Sequence, residues 1–128
     1  MKELRVIFLF LIAACLFLIP SFALAHHSAA AYESTKQIAV SGVVTEFHFV
    51  NPHVLIYWTA KDEEGNVQKW QGELTSPNHL IRSGWTKETI KAGDPITLTG
   101  YPAKNGAYSL RITKVVVKGQ ALETSAGQ

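Results

Sequence analysis

A single strong helix-starting signal stands in a chain otherwise patterned for strands, and its position constrains the fold more than any other feature. Ser76-Pro77 places a capping hydroxyl before a proline suited to the first helical position, and Gly84 follows as a stop. Three strand-patterned segments lead up to it from Ile38. Ile38 and Val40 alternate, Ser41-Gly42 interrupts, and Val43, Thr45, Phe47 and Phe49 resume on the opposite parity. A parity switch at a glycine predicts a β-bulge that bends one long strand. Val50-Asn51-Pro52 ends that strand, because proline donates no ladder hydrogen bond. Val54 to Ala60 is apolar on both parities, as in a strand covered on both sides. Asp62 to Asn66 reads as a hairpin loop leading to a third strand, Val67 to Leu74. Beyond the helix, Trp85 is expected to pack back onto the sheet. Lys91-Ala92-Gly93-Asp94 turns into a strand at Ile96 to Gly100, and Lys104-Asn105-Gly106 turns into a last strand, Tyr108 to Val117.

The resulting order is β-β-β-α-β-β. An all-β chain with one short helix between strands three and four is the order of a five-stranded OB-like Greek-key barrel, here expected over residues 38–120. Closing the sheet hides its edges. A small open sandwich or meander is the alternative. Residues 121–128 are polar and are expected to form a disordered, frayed tail.

The first 25 residues carry a different signal. Lys2 and Arg5 give a positive start, Val6 to Ile19 is almost wholly apolar, and Pro20-Ser21 breaks the run. Ala23-Leu24-Ala25 then offers small residues for cleavage, so residues 1–25 read as a signal peptide. The run is short against the ~20 residues of a membrane-spanning helix, and no span is expected after cleavage. The expected location is therefore periplasmic or secreted. Ile12-Ala13-Ala14-Cys15 resembles a lipobox, but Leu16-Phe17-Leu18-Ile19 continues the apolar run where a lipoprotein has a polar tether. Lipidation of Cys15, the other possibility, would leave His26 internal.

Cys15 is the only cysteine, so the cleaved chain has none and depends on its core rather than on disulfides. Removing Lys2, Arg5 and Glu3 from 12 basic and 10 acidic residues leaves ten and nine. That near balance argues against nucleic acid or an anionic membrane surface as partner.

Several short motifs recur in one known family. His26-His27-Ser28, Gly42-x-Val44-Thr45-x-Phe47, Asn51-Pro52-His53, Ser76-Pro77, Arg82-x-Gly84-Trp85, Lys91-x-Gly93-Asp94 and Gly100-Tyr101-Pro102-Ala103-Lys104-Asn105-Gly106 resemble the exported bacterial family known as domain of unknown function 6152. The resemblance runs from His26 to about Val117. It implies a small periplasmic or secreted protein and carries no established activity. The family pattern has an aromatic such as Trp where this chain has His48, which leaves His26, His27 and His53 inside matching motifs.

Cleavage after Ala25 would start the chain at His26. An N-terminal histidine offers its α-amine and ring nitrogen to one metal ion, and a second imidazole would complete a three-nitrogen site suited to Cu(II). His53, on the stiff Asn51-Pro52 turn, is the best second ligand by sequence, and His27 is the alternative. Residues 26–37 form an extended arm, with Tyr32 as an anchor. About a dozen residues at ~3.3 Å each reach roughly 40 Å, so His26 can approach His53 without being forced to. The competing readings are a terminus whose histidines do nothing and a His53 that shapes its turn. His48 is expected to face outward, and His79 to be an ordinary early-helix residue.

Tyr57, Trp58 and Trp85, with Asn51 beside them, are candidates for a ligand or partner face, since aromatics on an OB barrel stack on sugars or bases. The same rings also suit the core that a small barrel must fill. There is no H-E-x-x-H, no G-x-x-x-x-G-K and no recognisable Ser-His-Asp motif. The expectation is a non-enzymatic OB-like binding or accessory protein that recognises a small ligand or a periplasmic protein. The alternative is a copper-binding protein using His26 and His53.

Overall fold

The computed structural model describes residues 30–124. Its strands are β1 (Ile38–His48), β2 (Leu55–Lys61), β3 (Val67–Glu73), β4 (Pro95–Pro102), β5 (Ser109–Val117) and β6 (Gln120–Leu122). A six-residue helix, α1 (Pro77–Arg82), lies between β3 and β4. Strands neighbour one another in the order β3-β2-β1-β4-β5-β6. β3 also runs parallel to the start of β5 through Gln71↔Ser109, Gly72↔Leu110 and Glu73↔Arg111. That pairing closes β1 to β5 into an OB-type barrel and removes the open-sandwich alternative.

Two bulges bend the strands enough to close. In β1, Val44 pairs with Trp58 and Glu46 with Tyr57, so Thr45 is an extra residue. In β5, Ile112 pairs with Gly100 and Lys114 with Thr99, so Thr113 is extra. The buried face changes parity at each bulge: Val44 then Phe47 in β1, Ile112 then Val115 in β5. The β1 bulge is thus at Thr45, not at Gly42 as the sequence pattern predicts, and Val44 rather than Val43 faces inward. The Lys91-Ala92-Gly93-Asp94 turn pins it. Val44 donates its N–H to the Asp94 carbonyl (3.0 Å) and accepts from Gly93 N–H (2.8 Å). The same turn is held from within. The Asp94 carboxylate accepts the Lys91 N–H (3.0 Å) and lies 3.2 Å from Lys118 Nζ.

Gly42 has a different task. A Cβ there would strike the backbone carbonyl of Thr59 and come within 3.0 Å of Trp58 Cδ1. Gly72, on the other side of the same ring, leaves room for Ile112 and for Trp58 Cζ3. Two glycines therefore seat one fully buried tryptophan. Around it pack Ile56, Leu98, Leu110 and Val115, none of them exposed. Each such side chain contributes roughly 1.5–3 kcal/mol by leaving water.

α1 is too short to persist alone and is held by its ends and its buried face. The Ser76 carbonyl accepts from His79 and Leu80 N–H, while its hydroxyl contacts His79 Nδ1 (3.0 Å) rather than capping a backbone N–H. At the other end Trp85 N–H bonds the Leu80 carbonyl and Gly84 N–H the Ile81 carbonyl, with Gly84 at φ 84°. This Schellman arrangement brings Trp85 onto Leu80, and both are buried. Phe47 lies 6.3 Å from the Trp85 ring and closes that end of the core.

The two flanking segments are tied down where the structure describes them. Tyr32 is buried, bridges to Ala103 and places its hydroxyl 3.0 Å from Ser109 Oγ, as an anchor should. The tail differs from expectation. Residues 120–122 form β6 against Val115–Val117, and the Glu123 carbonyl accepts the Trp85 Nε1–H at 2.7 Å. The buried indole needs an acceptor, and the residues expected to fray supply it.

Candidate ligand-binding face

The outward parity of β1, β2 and β3 builds one continuous face. Its rows follow from the register: His48, Leu55 and Glu73; Glu46, Tyr57 and Gln71; Val43, Thr59 and Lys69. The Thr45 bulge sits beside the middle row. Between the bulge and β3 runs a groove of about 250 Å³, lined by Thr45, Glu46, Tyr57, Thr59, Lys69 and Trp70, with Trp58 beneath. A second groove of about 410 Å³ continues past Thr59, lined by Ser41, Gly42, Val43, Ala60, Lys61 and Val67. Val43 and Val67 are both exposed there.

Tyr57 is the aromatic centre of this face. It is half-buried, and its ring lies 5.1 Å from that of His48. His48 faces outward, and its Nε2 meets Glu46 Oε2 at 2.8 Å. His53, on the β1–β2 loop, pairs through Nδ1 with Glu73. The Glu73 side chain is 18% exposed and that of His53 44%, so the carboxylate is the fixed partner and the imidazole the accessible one. With Nδ1 engaged, Nε2 is the nitrogen left for another partner. Among the described residues no three His, Cys, Asp or Glu side chains converge on a possible metal position.

The residues singled out from the sequence separate into three groups. Tyr57 lies on the groove and His53 at its loop end, while Asn51 is exposed on the same loop outside the groove lining. Trp58 and Trp85 do not present their rings to a ligand: they are 0% and 3% exposed. Trp58 shares the inward parity of Ile56 and Ala60, and Trp85 is drawn in by the helix cap. His26 and His27 lie outside the described residues, as does the signal-peptide reading. His79 makes only a local contact with Ser76 and Thr75. Glu46, Lys69, Gln71 and Glu73 join this face although the sequence pattern alone does not assign them to it. Their signal was register: Glu46 and Gln71 stand beside Tyr57, Glu73 beside Leu55 and Lys69 beside Thr59 on neighbouring strands, which parity along one strand does not reveal.

These motifs now have places. Gly42 to Phe47 is the bulged half of β1, Lys91 to Asp94 the turn that pins it, and Arg82 to Trp85 the helix cap. The chain belongs to the family of unknown function DUF6152. The family model matches residues 15–110. No curated protein matches the chain. Among solved structures, this DUF6152 chain is similar to the mitochondrial single-stranded DNA binding protein from S. cerevisiae. The TM-score is 0.51 at 10% identity, covering 67% of this chain and 96% of that one. A small single-stranded DNA-binding protein from Streptomyces coelicolor is also similar, with TM-score 0.44 and 11% identity over 67% and 94% of the two chains. The first likeness is one of fold and agrees with the OB-type barrel. No helix among the described residues is long and apolar enough to cross a membrane.

Proposed function

We propose that this protein is a non-catalytic binding module that takes a small ligand or a protein partner on the outer face of β1 to β3, around Tyr57. The observation that carries the reading is the groove itself. It joins an aromatic wall to hydroxyl, carboxylate and ammonium groups on the strands that OB barrels use for ligands. Lys61 and Lys69 on this face are balanced by Glu46 and Glu73, which favours an uncharged or mixed partner over a polyanion. The work is done in the periplasm or outside the cell, after removal of residues 1–25. Intact mass of the exported protein tests that processing: a chain beginning at His26 agrees with removal of residues 1–25, and a lipidated or full-length chain contradicts it.

A photo-reactive residue in place of Lys69, with one in place of Lys114 on β5 as control, tests the face in the intact cell. Adducts at position 69 and none at 114 are expected. Equal labelling at both positions, or labelling at 114 alone, would contradict the assignment.

The His53–Glu73 pair favours a second reading, a copper site formed by the α-amine and ring of His26 with His53. A carboxylate on one ring nitrogen is the usual support of a metal-ligating histidine. Anchoring at Tyr32 leaves six residues to span, about 20 Å when extended. Micromolar or tighter Cu(II) binding by the processed chain is expected, with a loss of about 10–100-fold in Glu73→Gln. Equal binding by a version carrying an extra N-terminal Met would rule the site out.

A further inference from the structure

We propose that the groove beside Tyr57 binds a neutral oligosaccharide, with one sugar ring stacked on the tyrosine. The inference rests on the outer face being the binding surface and names the ligand class for it. Size is the first argument. A groove of about 250 Å³ is below the ~300–1,000 Å³ of sites that enclose a drug-sized molecule or cofactor, so it admits about one ring. The adjoining groove of about 410 Å³ shares Thr59 and gives the next rings somewhere to lie. The two together suit a linear chain of rings rather than one compact ligand.

Chemistry is the second argument. A sugar presents an apolar ring face and a rim of hydroxyls that both donate and accept. Tyr57 offers a flat, half-buried surface fixed by the strand and by the His48 ring. Around it stand groups of both kinds: Thr45 and Thr59 hydroxyls, the Lys69 ammonium as donor, and the Glu46 carboxylate as acceptor, already oriented by His48. The carboxylate inside the groove opposes a phosphate or other anion, and the ammonium opposes a cation. A neutral polyhydroxylated ligand uses both without leaving either charge unmatched.

The test is amide chemical-shift mapping of the processed protein with triacetylchitotriose and with maltotriose. At least one should shift Thr45, Glu46, Tyr57, Thr59 and Lys69 selectively at concentrations up to about 10 mM, the weak range for a shallow site. Tyr57→Ala should weaken binding by about tenfold or more, and Tyr57→Phe by no more than about twofold, because the ring does the stacking. Glu46→Ala, on an exposed position that cannot unseat the core, should weaken it by about threefold or more. Absence of shifts with both sugars, or equal shifts in wild type and Glu46→Ala, overturns the saccharide. If the same amides answer only to a tripeptide or a short oligothymidylate, the sugar is wrong while the face stands. If small fragments of every class map elsewhere, both fall.

Discussion

Gly42 lies so close beneath the Thr59 carbonyl that no side chain fits between β1 and β2 at that point. The obstruction is backbone, which cannot swing aside as a side chain can. Gly42→Ala is therefore expected to lower stability by about 1–3 kcal/mol, in the range of overpacked cores, with a matching fall in the urea midpoint. An unchanged midpoint would contradict so close an approach of β1 to the Thr59 carbonyl.

Glu123 accepts the buried Trp85 indole N–H, so the segment after β5 is structural. A chain ended at Gly119 loses β6 and that acceptor. The expected cost is about 1–3 kcal/mol, with faster hydrogen exchange along Val115–Val117. A truncated chain as stable as the whole would return these residues to the status of a free tail.

Tyr32 holds the arm by its ring and by a hydroxyl bond to Ser109. Tyr32→Phe should cost about 1 kcal/mol, the usual net worth of one hydrogen bond, and Tyr32→Ala about 3 kcal/mol for the emptied site. Thermal unfolding of the three proteins measures both steps. Equal stabilities would detach the arm from the barrel.

Asp62 and Asp94 place the acid limit of stability. The Asn66 N–H beside Asp62 and the Lys91 N–H beside Asp94 hold both carboxyls below the usual 3.8. A folded-state value lower than the unfolded one gives stability that is complete above the unfolded value and lost as pH falls through the folded one. Urea midpoints should therefore stay level from about pH 7 to about pH 5 and fall below about pH 4. Asp94→Asn should lower the neutral midpoint and make the acid limb shallower. A steeper acid limb in the variant would contradict the assignment.

The barrel was legible because its information is local. Alternation marks the strands, Ser76-Pro77 and Gly84 bracket the helix, and Asp62 to Asn66 turns a hairpin. What escaped depends on pairs far apart in sequence. Parity switched near Gly42, but the extra residue is Thr45, because the Gly93-Asp94 turn fixes Val44 from across the barrel. The final strand ends in a hairpin rather than a tail, because Trp85 needs a carbonyl 38 residues away. The aromatics divide the same way. Tyr57 and Trp58 are adjacent and equally suited to core or groove, and the strand's parity turns one to each side. Glu73 became part of the face only through its place opposite Leu55 and beside His53.

The proposed function requires that Tyr57 mark the surface where ligands bind. Amide mapping of the labelled, processed protein against a mixed library of small fragments tests this most directly. The predicted result is a cluster of shifted amides at Thr45, Glu46, Tyr57, Thr59, Lys69 and Gln71, lost in Tyr57→Ala while the rest of the spectrum is unchanged. Fragments that gather on β4, β5 or α1, and bind the Tyr57→Ala protein as well as the wild type, would contradict it.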